Sequence, residues 1–372
     1  MKKSKLLIAI GAVVLIGIVS FLAYKAQNEI ASDDVIRIGA ILPLTGSMSF
    51  LGEPELFGLK AAVEEYNAKS NTQNRVMELL VEDSKGDVKF AVMAAQRLVN
   101  AKVTAVVTSC SGVSKAVAPV FNKADIPMFA LCSDTSIAAQ NPNCINFYVN
   151  LDAEQDALVG FLKKRKVKDI SILRVNAEAG VLAVDLLKKK YPELTVSQEF
   201  EYDLDRRDFR DLIASIKHSP SRNLYIVGVG IRFAVILDTI REYDVDKNLF
   251  GNYMFLSAST MTAPQDVLSR VNFTAFPVTV DQLSNTVLGR FFARQGKKMP
   301  AFMDYVFAYD AIRFIGVQYD KDPLMLEFLK NSRNTSFDST FGKMLIQEDG
   351  NAMVPMKIGH YSAKGNVELL DE

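Results

Sequence analysis

The chain has no tryptophan, only two histidines and only three cysteines in 372 residues. Most zinc sites and most general-base mechanisms use histidine. His218 and His360 lie far apart in the sequence, and no HExxH, CxxC or DxDxDG pattern is present. No metal and no cofactor are therefore expected. An excess of charge of one sign is missing too: Lys+Arg and Asp+Glu are both 43. No basic patch with interleaved aromatics occurs, so nucleic acid is not an expected partner. Low-complexity tracts and solenoid-length repeats are also absent.

What is present is ordinary globular composition, 49% apolar and 23% charged, over a length that suits two domains. The N-terminus stands apart. "MKKSK" is followed by Leu6 to Ala23 without a charge, a run of about 27 Å as a helix, close to the hydrocarbon thickness of a bilayer. It reads as an uncleaved signal anchor, because "SFLAYKAQ" offers poor cleavage options; a cleaved signal peptide is the alternative. Both place Lys2, Lys3 and Lys5 inside and the remainder outside the inner membrane. Export permits one disulfide among Cys110, Cys132 and Cys144, with Cys110–Cys132 and Cys132–Cys144 both open.

From residue 35 apolar strand patterns alternate with helical ones. "VIRIGAILPL", "VMELLVED", "VTAVVTS", "IPMFAL" and "NFYV" read as strands. Between the first two lies "PELFGLKAAVEEYNAK", a helix with Leu56, Leu59, Val63 and Tyr66 near one face. The pattern restarts near Asp152 and ends in a strand "LFGNYMFLS". Helical patterns follow in "DQLSNTVLGRFFARQ", "AFMDYVFAYDAIRFIGVQ" and "PLMLEFLKNS". The tail "GKMLIQEDGNAMVPMKIGHYS" reads as two strands around a turn. Such repetition predicts an α/β fold of two parallel-sheet units. Ligands of open parallel sheets bind beyond the C-terminal strand ends, so the strand-to-helix corners are the places to look for a site.

Two adjacent corners carry hydroxyls. "SCSGVS" offers Ser111 and Gly112 at a helix start, and "LCSDTS" offers Cys132, Ser133 and Asp134. A helix N-terminus presents unpaired amides and a positive field, suited to an anionic or acceptor group; helix capping is the competing role for each hydroxyl. "GVSKA" is a degenerate nucleophile elbow that would pair Ser114 with His360, but it begins several residues past the strand. "YIVGVGIRFA" places Gly228 and Gly230 at a corner, with Phe233 where a dinucleotide fingerprint needs glycine. A Gly-lined corner facing a cleft is the better reading. The thiols are expected to be buried or bridged rather than reactive.

Four blocks in order, "GAILPLTGSMSFLGEPELFGLKAAVEEYNAK", "EDSKGDVKFAVMAAQRLV", "DFRDLIASIKHSPSRNLYIVGVGIRFAVILDTIREYDV" and "FFARQGKKMPAFMDYVFAYDAIR", resemble the type I periplasmic solute-binding proteins of the branched-chain amino-acid (Leu/Ile/Val) class. The resemblance spans roughly residues 35–366. It implies two Rossmann-like lobes joined by a three-stranded hinge: residues 35–151 with 278–346, and 152–277 with 347–366, after a signal segment and linker at 1–31. It also implies closure on a small molecule, usually followed by docking on an ABC permease, with no covalent chemistry. Position by position, it puts ligand contacts at Leu51, Ser111, Cys132, Ser133, Asp134, Phe302 and Tyr305. An aromatic of the second lobe falls near Gly230, another on Ala179 before Gly180, and the acid that meets a ligand ammonium falls on Tyr253. These losses imply room for a ligand larger than a simple amino acid.

Overall fold

Short aliphatic runs build the first sheet. The computed structural model describes residues 35–69, 75–228, 230–257, 262–297, 299, 304–321, 329 and 333–370. The Leu6–Ala23 segment and Phe302 lie outside these residues; no described helix is long and apolar enough to cross a membrane. In order come β1 (Val35–Leu42), α1 (Ser49–Lys69), β2 (Val76–Asp83), α2 (Val88–Asn100) and β3 (Ala105–Ser109). Then follow α3 (Ser111–Lys123), β4 (Met128–Leu131), α4 (Ser136–Gln140) and β5 (Cys144–Asn146). The strands pair in parallel in the order β2-β1-β3-β4-β5. Every residue of β3, β4 and β5 is buried, as expected of strands covered on both faces. The last strand begins two residues earlier than "NFYV" suggests and ends at its first residue, Asn146. Phe147 and Tyr148 leave the sheet to pack on Phe314 and Phe307, at 5.5 and 5.2 Å between ring centroids.

The second sheet is wider. It is fed by α5 (Leu151–Lys164), β6 (Asp169–Val175), α6 (Glu178–Lys190), β7 (Thr195–Tyr202), α7 (Arg210–His218) and β8 (Asn223–Val227). The chain continues through α8 (Gly230–Glu242), β9 (Asn248–Gly251), a 3-10 turn at Tyr253–Leu256, α9 (Gln265–Leu268) and β10 (Val271–Ala275). The predicted strand "LFGNYMFLS" stops at Gly251, because the chain folds back so tightly that any Cβ there would run into the Phe255 ring. The strand Val271–Ala275 was not anticipated; it lies parallel to β9.

The final third returns across both sheets. Helices α10 (Val280–Leu283), α11 (Val287–Arg294) and α12 (Asp304–Lys321) precede β11 (Thr335–Ser339), β12 (Gly342–Ile346), β13 (Ala352–Met353), β14 (Lys357–Tyr361) and β15 (Val367–Leu369). "DQLSNTVLGRFFARQ" is two helices rather than one. Thr279 and Gln282 form a capping box, and Thr286 starts a new helix by capping Gly289 N. The quoted tail holds three strands, β12, β13 and β14, rather than two; β14 and the following β15 are antiparallel additions that complete the sheet order β15-β14-β10-β9-β8-β6-β7. Strands β11, β12 and β13 form a small separate sheet. Among the described residues the chain passes between the two large sheets three times, after β5, after β10 and before β14.

One helix crossing sets the geometry of everything below. Gly58 in α1 meets α12 backbone to backbone. A Cβ added there would fall on the Tyr305 carbonyl oxygen and 2.8 Å from its carbon. Glu55, about one turn before Gly58, is thereby brought beside Asp304, the first residue of α12.

Candidate ligand cleft

The corners at the C-terminal ends of both sheets face one cavity of about 180 Å³. On the first-sheet side it is lined by Met48, Phe50, Leu51 and Glu55 from the β1–α1 region, and by Cys110, Ser111, Cys132 and Ser133 from two adjacent corners. Helix α3 begins without a side-chain cap, its N-cap Cys110 lying at φ 70°, ψ 135°. That positive φ is unusual for a residue with a Cβ and costs on the order of 1–3 kcal/mol. The result is a 13-residue helix whose first turn and Ser111 hydroxyl open on the cavity. Ser111 is thus not the cap that its sequence position suggested.

The opposite wall is cut from small residues. Ala177, Ala179, Gly180 and Ala183 come from the start of α6, and Gly228 from the end of β8. The chain is pressed close here: a Cβ on Gly228 would fall on the Tyr202 hydroxyl. Asn252, Tyr253 and Met254 close the wall after β9. Although the aromatics implied at Ala179 and near Gly230 are gone, the cavity is only slightly larger than one of 150 Å³ that takes benzene. This volume does not favour a ligand much larger than a simple amino acid; Met48, Phe50, Tyr253 and Met254 are among the bulky residues that line it.

Buried carboxyls dominate the electrostatics. Glu154, in the first turn of α5, accepts from Tyr253 N at 2.8 Å and Thr274 Oγ1 at 2.5 Å, yet burial pushes it up to about 6. Glu55 accepts from Ser109 Oγ at 2.8 Å; burial first, and the Asp304 charge second, hold it well above the usual carboxylate range. Burial raises Asp304 to about 8, although Tyr148 donates to it at 2.7 Å. Tyr148 and Tyr253 hydrogen-bond each other, so a polar chain runs from Asp304 through both phenols, while Glu154 holds the backbone of Tyr253. Tyr253 does stand where an acid was implied, but Glu154 holds its backbone and Glu55 faces the same cavity. None of these three acids was singled out from the sequence.

Leu51, Ser111, Cys132, Ser133 and Tyr253 all line the cavity. Other expected contacts do not. Asp134 accepts from Ser136 N at 2.9 Å and Ser136 Oγ at 2.6 Å and lies 4.0 Å from Lys115 Nζ; it organises the start of α4 instead of meeting a ligand. Tyr305 is buried edge-on against Phe292 at 5.0 Å, because the α1–α12 crossing turns it into the core. Gly112 is exposed with open space around it. Gly228, two residues before the expected Gly230, lines the cavity, as does Gly180. Ser114 is fully buried and shares a hydrogen bond with Thr108 at 2.9 Å. His360 lies on β14 of the other sheet, 3.7 Å from Glu368, so the two do not form a hydrolase pair.

Cys110, Cys132 and Cys144 are all free, and neither candidate disulfide is formed. Burial raises Cys110 and Cys132 to about 12 and Cys144 upward as well. Thiolate is the reactive form. Ellman's reagent at pH 8 should therefore label no thiol of the native protein within minutes and all three in denaturant. A rapid native thiol would contradict this account.

Two parallel-sheet cores with a cavity at their strand ends place the chain in a class of two-walled binding folds. It belongs to the periplasmic binding protein family, whose model matches residues 35–366. The Leu/Ile/Val-binding protein of Escherichia coli is 22% identical over 335 residues, 87% of this chain and 90% of that protein. The leucine-, isoleucine-, valine-, threonine- and alanine-binding protein of Pseudomonas aeruginosa is 23% identical over 224 residues, 59% of this chain and 60% of its own length. Matches to other such relatives span less of those proteins, from about 60% down to 28% of their length. Among solved structures, the branched-chain amino acid transporter substrate binding protein LivJ of Streptococcus pneumoniae, in complex with isoleucine, superposes with a TM-score of 0.77 at 18% identity, covering 91% of this chain and all of that one. A solute binding protein of an ABC transporter from Rhodopseudomonas palustris, in complex with 3,4-dihydroxybenzoic acid, gives 0.79 at 15% identity, covering 91% and 96%. The fold is that of the type I periplasmic binding proteins.

Proposed function

We propose that this is an extracytoplasmic solute-binding protein that closes two lobes on a small organic molecule, an amino acid or a relative of one, and delivers it to an ABC permease. The lobes would be residues 35–151 with 278–346, and 152–277 with 347–366. The observation that carries this reading is the single cavity lined by strand-to-helix corners of both sheets. A ligand seated there touches both walls and so favours the closed arrangement by its differential contacts. In this reading Ser111, Ser133 and the first amides of α3 hold an acceptor group of the ligand, and Leu51, Phe50 and Met254 cover its apolar part. In this reading the ligand is bound and released without covalent chemistry. The names of its relatives support amino acids as the first ligands to try.

A thermal-shift screen of amino acids, amides, small carboxylates and aromatic acids tests it. A ligand that binds only the folded state raises its melting temperature, and the radius of gyration should fall on saturation. No shift with any class, from protein that melts cooperatively, would sink the transport reading. Ser111→Ala and Ser133→Ala should each weaken the selected ligand by about five- to twelvefold, a hydrogen bond's worth of about 1–1.5 kcal/mol. Unchanged affinity in both would remove the α3 corner from the site.

The long apolar run Leu6–Ala23 with its poor cleavage options favours a second reading, a ligand sensor tethered to the inner membrane beside a protein partner. N-terminal sequencing of the exported protein separates them: an intact Met1 fits the tether, and a new N-terminus past Ala23 fits a free carrier.

A further inference from the structure

We infer that the ligand is a small net-cationic amine with an apolar body, whose ammonium is held between Glu55 and Glu154. This deepens the solute-binding reading and rests on it. The starting observation is a set of oxygens without partners. Glu55 Oε2, Glu154 Oε2 and Asn252 Oδ1 are all buried with no hydrogen-bond donor, and all three residues line the cavity. Glu55 is 1% exposed and Glu154 is fully buried. Native proteins leave few such groups unsatisfied, and each one calls for a donor. Asn252 already spends its amide nitrogen on Gly228 O at 3.2 Å, so its oxygen is left to accept.

No protein group answers them. Among the described residues that line the cavity there is no lysine, arginine or histidine. Asp304 adds a third acid directly behind, through Tyr148, with Oδ2 also unpartnered. The remaining lining is mainly apolar, from Met48, Phe50, Leu51 and Met254 to the alanines of α6. An ammonium brings up to three donors and a positive charge. Its pKa near 10 keeps it charged at neutral pH.

The count of charges decides between an amine and a zwitterion. A zwitterionic amino acid brings no net charge, so the excess of negative groups around the cleft is unchanged when it binds. A cation without a carboxylate offsets one of them. A buried charge left without a partner is strongly unfavourable. The raised carboxyls described above fit this picture: burial works against their charged form, and a cation beside them works for it. The α3 corner does not contradict it, since hydroxyls and amides receive a neutral hydroxyl or carbonyl as readily as a carboxylate.

The test uses the full 372-residue chain in mild detergent and isothermal titration calorimetry at pH 8. The probes are leucine, its skeleton without the carboxylate (3-methylbutylamine), its skeleton without the amine (4-methylpentanoate), and the further amines benzylamine and 1,4-diaminobutane. At least one of the amines should bind ten times more tightly than leucine, and 4-methylpentanoate should not bind. Glu55→Gln and Glu154→Gln should each weaken the binding amine tenfold or more while the protein still melts cooperatively. Leucine binding ten times more tightly than every amine would overturn the inference and leave the solute-binding reading standing. So would failure of all amines while another class shifts the melting temperature. Equal amine affinity in both variants would also overturn it, by showing that the acids do not hold the nitrogen.

Discussion

Gly58→Ala is expected to destabilise the protein by about 3 kcal/mol, at the upper end of overpacking costs, and to lower its melting temperature by about 5–10 °C. Helix propensity alone predicts the opposite, a gain of up to about 1 kcal/mol. The difference lies in what the new methyl meets. At Gly58 it meets the Tyr305 carbonyl, which is backbone and cannot swing aside like a side chain. Helices α1 and α12 must separate, and Glu55 and Asp304 move with them. Gly160→Ala in α5 is the control, because nothing lies within 4 Å of the added atom; it should be neutral or stabilising. Comparable melting temperatures for the two variants would refute the close crossing. A fall in ligand affinity for Gly58→Ala alone would show that the crossing positions the acids.

Asp304→Asn should raise the melting temperature of the unliganded protein by about 5 °C or more at pH 8.5, and by much less at pH 5. Burial raises the carboxyl from the usual aspartate value of 3.8 to about 8 in the folded state. The native protein therefore holds a proton that the unfolded chain releases above about pH 4. The contribution of this group is fully present below pH 4 and is lost progressively as pH rises toward 8. At about 1.4 kcal/mol per pKa unit, the loss is on the order of several kcal/mol. Asparagine keeps the acceptor for Tyr148 and never ionises, so that part of the pH dependence disappears. Glu55 faces the same carboxyl and should also relax toward its ordinary range. The quantity to measure is the difference in melting temperature between variant and parent across pH 5–8.5; a constant difference would show that Asp304 does not titrate there. A buried acid kept at such a cost fits a site that trades stability for binding.

Part of the cleft was legible in the residues. Ser111 and Ser133 follow short apolar strands at two neighbouring corners, and a parallel sheet puts such corners side by side. The family blocks carried Leu51 and Tyr253 to the same place. The acids were not legible in that way. Glu55 sits beside Glu53 on a helix that also carries Glu64 and Glu65, and looks like one more solvated charge. Glu154 looks like an ordinary first-turn acid favouring the helix dipole. Asp304 did leave a signal, one of two acids (with Asp310) in the otherwise largely apolar stretch "AFMDYVFAYDAIRFIGV", as did Gly58 inside a helical pattern. Asp134 misled because local capping, not the cleft, uses its carboxylate.

By itself the sequence determined the α/β alternation and the two parallel cores, because strand and helix periodicities and glycine-marked corners are local properties of the chain. It also determined the family. Tertiary structure alone decided which charges became buried and which small residues of the second sheet's corners came to line the cavity. Those outcomes depend on how helices far apart in sequence cross. Here one glycine lets α12 approach α1 closely enough to place Asp304 against Glu55 and to turn Tyr305 away from the site.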